Sequence, residues 1–177
     1  MFYKLANITE INLSNFDSSQ VTSMLRMFQG CTSLTSINFN NFNTSILKDM
    51  RYIFVECVSL ESLDISRFDT SSAIQMHNLF LGCSSLISLN LNNFDTSKVT
   101  DMSGMFYECK SLISLDLNNF KTSLVNNMES MFKDCDSLKI LKINNFDTSS
   151  ITNMNRMFSS CKALVSLNIS NFEYHSK

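Results

Sequence analysis

Six cysteines, Cys31, Cys57, Cys83, Cys109, Cys135 and Cys161, stand 26 residues apart without a slip. Seven phenylalanines keep the same step (Phe16, Phe42, Phe68, Phe94, Phe120, Phe146, Phe172), as do Phe28, Phe54, Phe80, Phe106, Phe132 and Phe158. A chain that repeats at a fixed period in the twenties has one economical way to fold, which is to wind into coils that stack. Each coil then touches only its neighbours, so residues 1–177 are predicted to form a single solenoid of about seven coils, the first and last incomplete. With no proline and three glycines, the sequence contains nothing resembling a linker.

The copy from Phe94 to Phe120 shows each column in its commonest form. Val99, Met102, Met105, Phe106 and Cys109 fall at steps of three and four, which predicts a short helix with one buried face. Leu112, Leu115 and Leu117 follow, with Ser114, Asp116 and Asn118 alternating around the last two, the pattern of a half-buried strand. Between strand and helix, Asn-Phe-Asp-Thr-Ser or a close variant supplies turn and capping oxygens, and the recurring Ser19, Ser45, Ser71, Ser97, Ser123 and Ser149 are read as serving the backbone. One coil cannot bury enough apolar surface to offset the cost of ordering its backbone; neighbours must complete it. Strands in a parallel ladder sit about 4.8 Å apart and packed helices about 8–10 Å, so the stack is expected to bend, with strands on the concave face and short helices on the convex one.

The unit N-F-D-T-S-x-V-T-x-M-x-x-M-F-x-x-C-x-S-L-x-S-L-x-L, seen in FDTSKVTDMSGMF (Phe94–Phe106) and FDTSSITNMNRMF (Phe146–Phe158), closely resembles the BspA-like leucine-rich-repeat surface-protein family. Leu112-x-x-Leu115-x-Leu117 carries the leucine-rich frame, with Phe120 where the common form has Asn or Cys. The resemblance implies an α/β repeat solenoid, a right-handed coil with a parallel concave sheet. It also implies a non-enzymatic recognition module, on the cell surface or secreted, that binds proteins in adhesion. Met1–Glu10 has neither the basic flank nor the apolar stretch of a secretory signal, so a complete chain would be cytoplasmic. Met1-Phe2 aligns with Met27-Phe28, so the repeat opens uncapped. Uncapped ends suggest a piece of a longer protein or end-to-end self-association. The rival reading is an intracellular scaffold that assembles through the repeat ends and the convex face.

Composition narrows the partners. Fourteen Lys and Arg against sixteen Asp and Glu leave a formal charge of −2 and no basic patch, which excludes a nucleic-acid partner. Apolar runs are too short for membrane insertion.

The cysteines are read as free, buried thiols, because helices 8–10 Å apart would hold them beyond disulfide reach. No Cys-x-x-Cys exists to hold zinc. His77 and His175 stand in no recurring column and are read as isolated side chains. Asp17, Asp69, Asp95 and Asp147 recur after Phe but are interrupted by Asn43 and Lys121, which favours turn duty over a calcium row. Met24, Met50, Met76, Met102, Met128 and Met154 are read as core filler rather than a soft metal site. No catalytic residue, metal or cofactor is expected.

The ligand-facing surface is assigned to the outward positions of the strands: Ser36, Asn38 and Asn40; Ser62, Asp64 and Ser66; Ser88, Asn90 and Asn92; Ser114, Asp116 and Asn118; Lys142 and Asn144; Ser166, Asn168 and Ser170. Interface hot spots favour Trp, Tyr and Arg, and none stands here, so either the ligand is a protein or other partner that is polar and extended, or this face is soluble scaffold and binding occurs elsewhere. Arg26, Arg51, Tyr52, Tyr107 and Arg156, on the opposite side, offer a second contact surface.

Overall fold

The computed structural model describes residues 1–173. His175 lies outside the described residues. Each 26-residue coil makes one extended pass and one turning pass, and both stack on the next coil in parallel. On the extended side, strand β1 (Glu10–Asn12) pairs with β2 (Ser36–Asn38), and β3 (Ser114–Asp116) pairs with β4 (Ile140–Lys142), residue for residue at a 26-residue offset. On the turning side a bridge ladder runs without interruption through Ser23, Asp49, Gln75, Asp101, Asn127 and Asn153.

The expected convex helices are absent: no helix occurs among the described residues. The segment 103–108 and its equivalents in the other coils are successive tight turns. Met105, Tyr107 and Cys109 donate their N–H groups three residues back, to the carbonyls of Met102, Gly104 and Phe106. The intervening residues Met102, Gly104, Phe106 and Glu108 donate instead to Asn127, Glu129, Met131 and Lys133 in the next coil, at 2.8–2.9 Å. A helix would use every N–H internally, whereas this segment sends every second one along the stack. The alternation requires left-handed backbone twice per coil, at Gly104 (φ 58°) and Glu108 (φ 59°) and at their equivalents Arg26, Tyr52, Asn78, Ser130 and Arg156, and Gly30, Glu56, Gly82, Asp134 and Ser160. Such residues break a helix after each turn. The three-residue step of the turns also places Met102, Met105 and Cys109 inward, which is why their spacing imitated a helical face.

Without a wide helical layer, nothing forces the strands onto a narrow inner face. Phe28, Phe54, Phe80, Phe106, Phe132 and Phe158, on the turning side, stack at centroid spacings of 5.6–5.8 Å. Near the strand ends, Phe16–Phe42 and Phe42–Phe68 are spaced more widely, at 5.9 and 6.5 Å. The surface formed by the extended passes is called the strand face below.

The core is a run of such columns. Phe54, Phe80, Phe106 and Phe132, the leucines at 60, 86, 112 and 138, and the methionines at 50, 76, 102 and 128 are all buried. Met154 packs partly buried against the same core, so the methionine column is filler.

Two further columns carry polar bonds through the interior. Thr44, Thr70, Thr96, Thr122 and Thr148 are buried, and each Oγ1 accepts the N–H of the residue 25 positions on. The cysteines are free, but not for the reason of spacing, since the coils are too close for that argument. Cys57, Cys83, Cys109 and Cys135 each donate the thiol hydrogen to the phenylalanine carbonyl 29 residues back, at 3.1–3.3 Å. Each thiol is thus committed to a neighbouring coil.

Candidate functional site

The strand face gathers the predicted residues onto one surface. Ser36 and Asn38 lie in β2, Ser114 and Asp116 in β3, and Lys142 in β4. Ser62, Asp64, Ser88, Asn90, Ser166 and Asn168 hold the same positions in extended passes without strand pairing, and Asn40, Ser66, Asn92, Asn118, Asn144 and Ser170 follow in the turns. All of them are half-buried or exposed.

Half of this surface is already engaged in holding the fold. The Oδ1 atoms of Asn38, Asp64, Asn90, Asp116 and Asn168 each accept the N–H two residues on, at 2.9–3.1 Å, closing the turn that follows the strand. Lys142 cannot make this bond. Its Nζ reaches Asp116 Oδ2 at 2.9 Å instead, and Asn144 N–H turns to Asn118 Oδ1 in the preceding coil. The carboxyl of Asp116 is held below its usual range, chiefly by Lys142 and next by the Asn118 N–H. The serines at 62, 88 and 114 have no such duty and point outward.

Sequence reasoning missed the neighbouring column. Asn41, Asn93, Asn119, Asn145 and Asn171 each donate Nδ2 to a carbonyl of the preceding coil, at 2.6–3.4 Å, forming an asparagine ladder along the edge of the face. Its recurrence in the Asn-Asn-Phe tripeptides was the available signal. Arg67 interrupts the column, and Phe39 stands nearby where other coils have Leu or Ile. Phe39 contacts the rings of Phe28, Phe42, Phe54 and Phe68 edge-on. Between these two coils a groove of about 240 Å³ opens, with Asn38, Asn40, Asp64 and Arg67 at its mouth and Phe39 and Phe68 beneath. Two further grooves, about 320 and 300 Å³, follow along the face at Ser62–Asn90 and Ser88–Asp116, where strand pairing is interrupted. Ser66 holds the Asp64 carboxyl below its usual range through Oγ and N–H bonds, and the charge of Arg67 adds a smaller effect.

The remaining candidates fall into structural roles. Asp17, Asp69, Asp95 and Asp147 each accept the N–H of the serine two residues on, at 2.9–3.0 Å, and bonds from that serine pull their carboxyls below the usual range, the hydroxyl leading at Asp69 and Asp147 and the N–H at Asp17 and Asp95. This is the turn duty expected of them. His77 is less isolated than expected: its Nδ1 lies 3.6 Å from Asp101 Oδ2, and its ring meets Tyr52 edge-on at 5.1 Å. No hydroxyl or thiol bonds to the ring among the described residues, so the pair lacks a nucleophile to activate. Across the turning side, Arg26 covers the Tyr52 ring and Lys133 the Tyr107 ring, so these aromatic and cationic groups are engaged with one another. Among the described residues, no three His, Cys, Asp or Glu side chains converge as a metal site would require. No helix there is long and apolar enough to cross a membrane.

Comparisons with known proteins agree with this geometry. The fold is similar to that of the T. pallidum leucine-rich repeat protein TpLRR, with 25% identity and a TM-score of 0.63 over 92% of this chain and 68% of that one. A leucine-rich repeat protein from Eubacterium ventriosum shares 20% identity with a TM-score of 0.48, over 84% of this chain and 34% of that one. A leucine-rich cell surface protein from Faecalibacterium prausnitzii shares 19% identity with a TM-score of 0.41, over 90% of this chain and 42% of that one. No curated protein matches the chain in sequence. The BspA-like leucine-rich-repeat character read from the sequence stands. The family model described as "Mycoplasma protein of unknown function, DUF285" matches residues 1–111 and 75–177, and because these two stretches together take in every coil, the chain belongs to that family.

Proposed function

We propose that this protein is a non-enzymatic recognition module that binds another protein through its repeat array, in the manner of a surface adhesin. The observation that carries the reading is the strand face itself. Coil after coil presents small polar side chains at a fixed step, among them the outward serines Ser62, Ser88 and Ser114, which the fold does not use. Such a surface suits an extended, polar partner that makes many modest contacts. The leucine-rich cell surface protein of Faecalibacterium prausnitzii is named for the location proposed for this chain.

The test is binding of the immobilised chain to a panel of purified extracellular-matrix and cell-surface proteins. Ser88→Arg with Ser114→Arg, two bulky charges in the middle of the face, is expected to abolish the binding that the parent chain shows. Arg156→Ala on the turning side is expected to leave it unchanged. Binding lost with Arg156 and kept with the two arginines would move recognition to the other side, and an empty panel would sink adhesion.

A further inference from the structure

Stacking sets the repeat columns, so a side chain that stacking does not use has some other cause. At the start of the extended pass, Glu61, Ile87, Ile113 and Lys139 occupy one column in four consecutive coils. Ile87 N–H bonds Glu61 O at 3.0 Å, Ile113 N–H bonds Ile87 O at 3.2 Å, and Lys139 N–H bonds Ile113 O at 2.9 Å. The two isoleucines are 44% and 45% exposed. Three residues on, the same four coils carry Asp64, Asn90, Asp116 and Lys142. Both columns therefore start with a carboxylate, end with a lysine, and are otherwise uncharged except for Asp116, which is bonded to Lys142. Neither Glu61 nor Lys139 has a side-chain partner among the described residues.

We propose that these four coils bind a second copy of the chain, face to face, about a two-fold axis that lies in the interface parallel to the strands and passes between the coils of Ile87 and Ile113. The operation reverses the order of the coils and keeps each column opposite itself. Glu61 then meets Lys139 of the second copy, Ile87 meets Ile113, and Asp64 meets Lys142, each contact occurring twice, as an isologous interface requires. The column between them is complementary in size: Ile140, 54% exposed, falls opposite Ser62, and Ser88 falls opposite Ser114. A two-fold axis along the stack would set Glu61 against Glu61 and Lys139 against Lys139, so the charge pattern selects one orientation.

The footprint is small. Four coils at a step of about 4.8 Å, crossed by a pass of about seven residues at 3.3 Å each, cover roughly 440 Å² per copy. A standard stable interface covers about 800 Å² per partner, so the dimer is weak and appears only as concentration rises.

Sedimentation velocity from micromolar to millimolar chain, at low and high salt, tests the proposal. The expected result is a monomer–dimer equilibrium that stops at two copies and weakens with salt, because the end contacts are exposed ion pairs. Glu61→Lys and Lys139→Glu lie at the surface, so circular dichroism should report an intact fold for both. Each alone sets like charges together twice and should weaken the dimer on the order of tenfold or more. Mixing the two singly reversed chains should restore association as a heterodimer, and the doubly reversed chain should dimerise like the parent. A chain that stays monomeric at millimolar concentration overturns the proposal, as does growth past the dimer, or a dimer indifferent to both reversals. The dimer covers Ser88 and Ser114, so the binding panel is run at nanomolar chain, where so weak a dimer has dissociated; there Glu61→Lys and Lys139→Glu leave recognition to be tested separately from the dimer.

Discussion

Replacing Thr96 by valine is expected to destabilise the protein by about 2 kcal/mol without changing the shape of its core. Thr96 is fully buried, and its Oγ1 both accepts the N–H of Lys121 at 2.8 Å and donates to the carbonyl of the same residue at 2.9 Å. Lys121 makes no other backbone hydrogen bond. Valine keeps the volume and removes both partners at once. A buried backbone group left unpaired costs about 1–3 kcal/mol, and because Lys121 lies near the surface the lower end applies to each of the two groups. For a chain of this size, about 2 kcal/mol corresponds to a fall of roughly 4–8 °C in Tm. Thr96→Ser is the control: it keeps the hydroxyl and loses one methyl group, worth about 1 kcal/mol. A solenoid can open coil by coil, so thermal melting should be joined by amide hydrogen exchange at Lys121. The Lys121 amide should be protected in the parent and in Thr96→Ser, and should exchange faster in Thr96→Val. If Thr96→Val is no less stable than Thr96→Ser, or if Lys121 exchange is unchanged, the threonine column does not hold the coils together.

Gly104→Ala should destabilise by about 2 kcal/mol or more, since the added Cβ runs into Asn78 Oδ1 and the backbone there is left-handed; pairing it with Asn78→Gly should recover part of the loss in a urea titration. Native thiols should resist alkylation at pH 8, with burial pushing Cys83 up to about 12 and raising Cys57, Cys109 and Cys135. Half-buried Cys161 should label first, as mass spectrometry of partly alkylated protein would reveal; simultaneous labelling of all six at the native rate would contradict the buried column. Burial is the main cause that lowers the pKa of His77 in the folded chain, with Asp101 opposing it. The unfolded chain therefore takes up a proton first as pH falls, and the stabilisation from neutral His77, complete above about 6.5, is lost below that value until the folded pKa is passed. His77→Gln should remove that slope from stability measured between pH 8 and pH 5, and an identical slope in both proteins would show that His77 is not its source.

Several features were legible because they depend on period alone. The cysteine and phenylalanine columns announced the stack, the alternation around Leu115 and Leu117 announced the extended pass, and the aspartates after Phe announced the turns. The turning pass was misread because a chain of three-residue turns and a helix bury side chains at nearly the same spacing. The difference lies in where the N–H groups of Gly104, Phe106 and Glu108 go, and side-chain pattern does not report that. Gly30, Gly82 and Gly104 were a partial clue, since all three occupy left-handed positions, but Glu108 and Arg156 adopt the same conformation with ordinary side chains.

The residues assigned to the strand face are half-buried or exposed in the fold, yet the division of labour among them was hidden. Asn38, Asp64 and Asn90 looked equivalent to Ser62 and Ser88, but the first three close turns through Oδ1 while the serines remain free. Likewise the deeper polar column proved to be Thr96 and its equivalents, not the serines that follow them. A sequence with a strict repeat determines by itself which residues stack on which, because any side chain must meet its own column in the next coil. Only the tertiary structure decides which backbone groups are left for side chains to satisfy, because that depends on whether each N–H is used within its own coil or sent to the next.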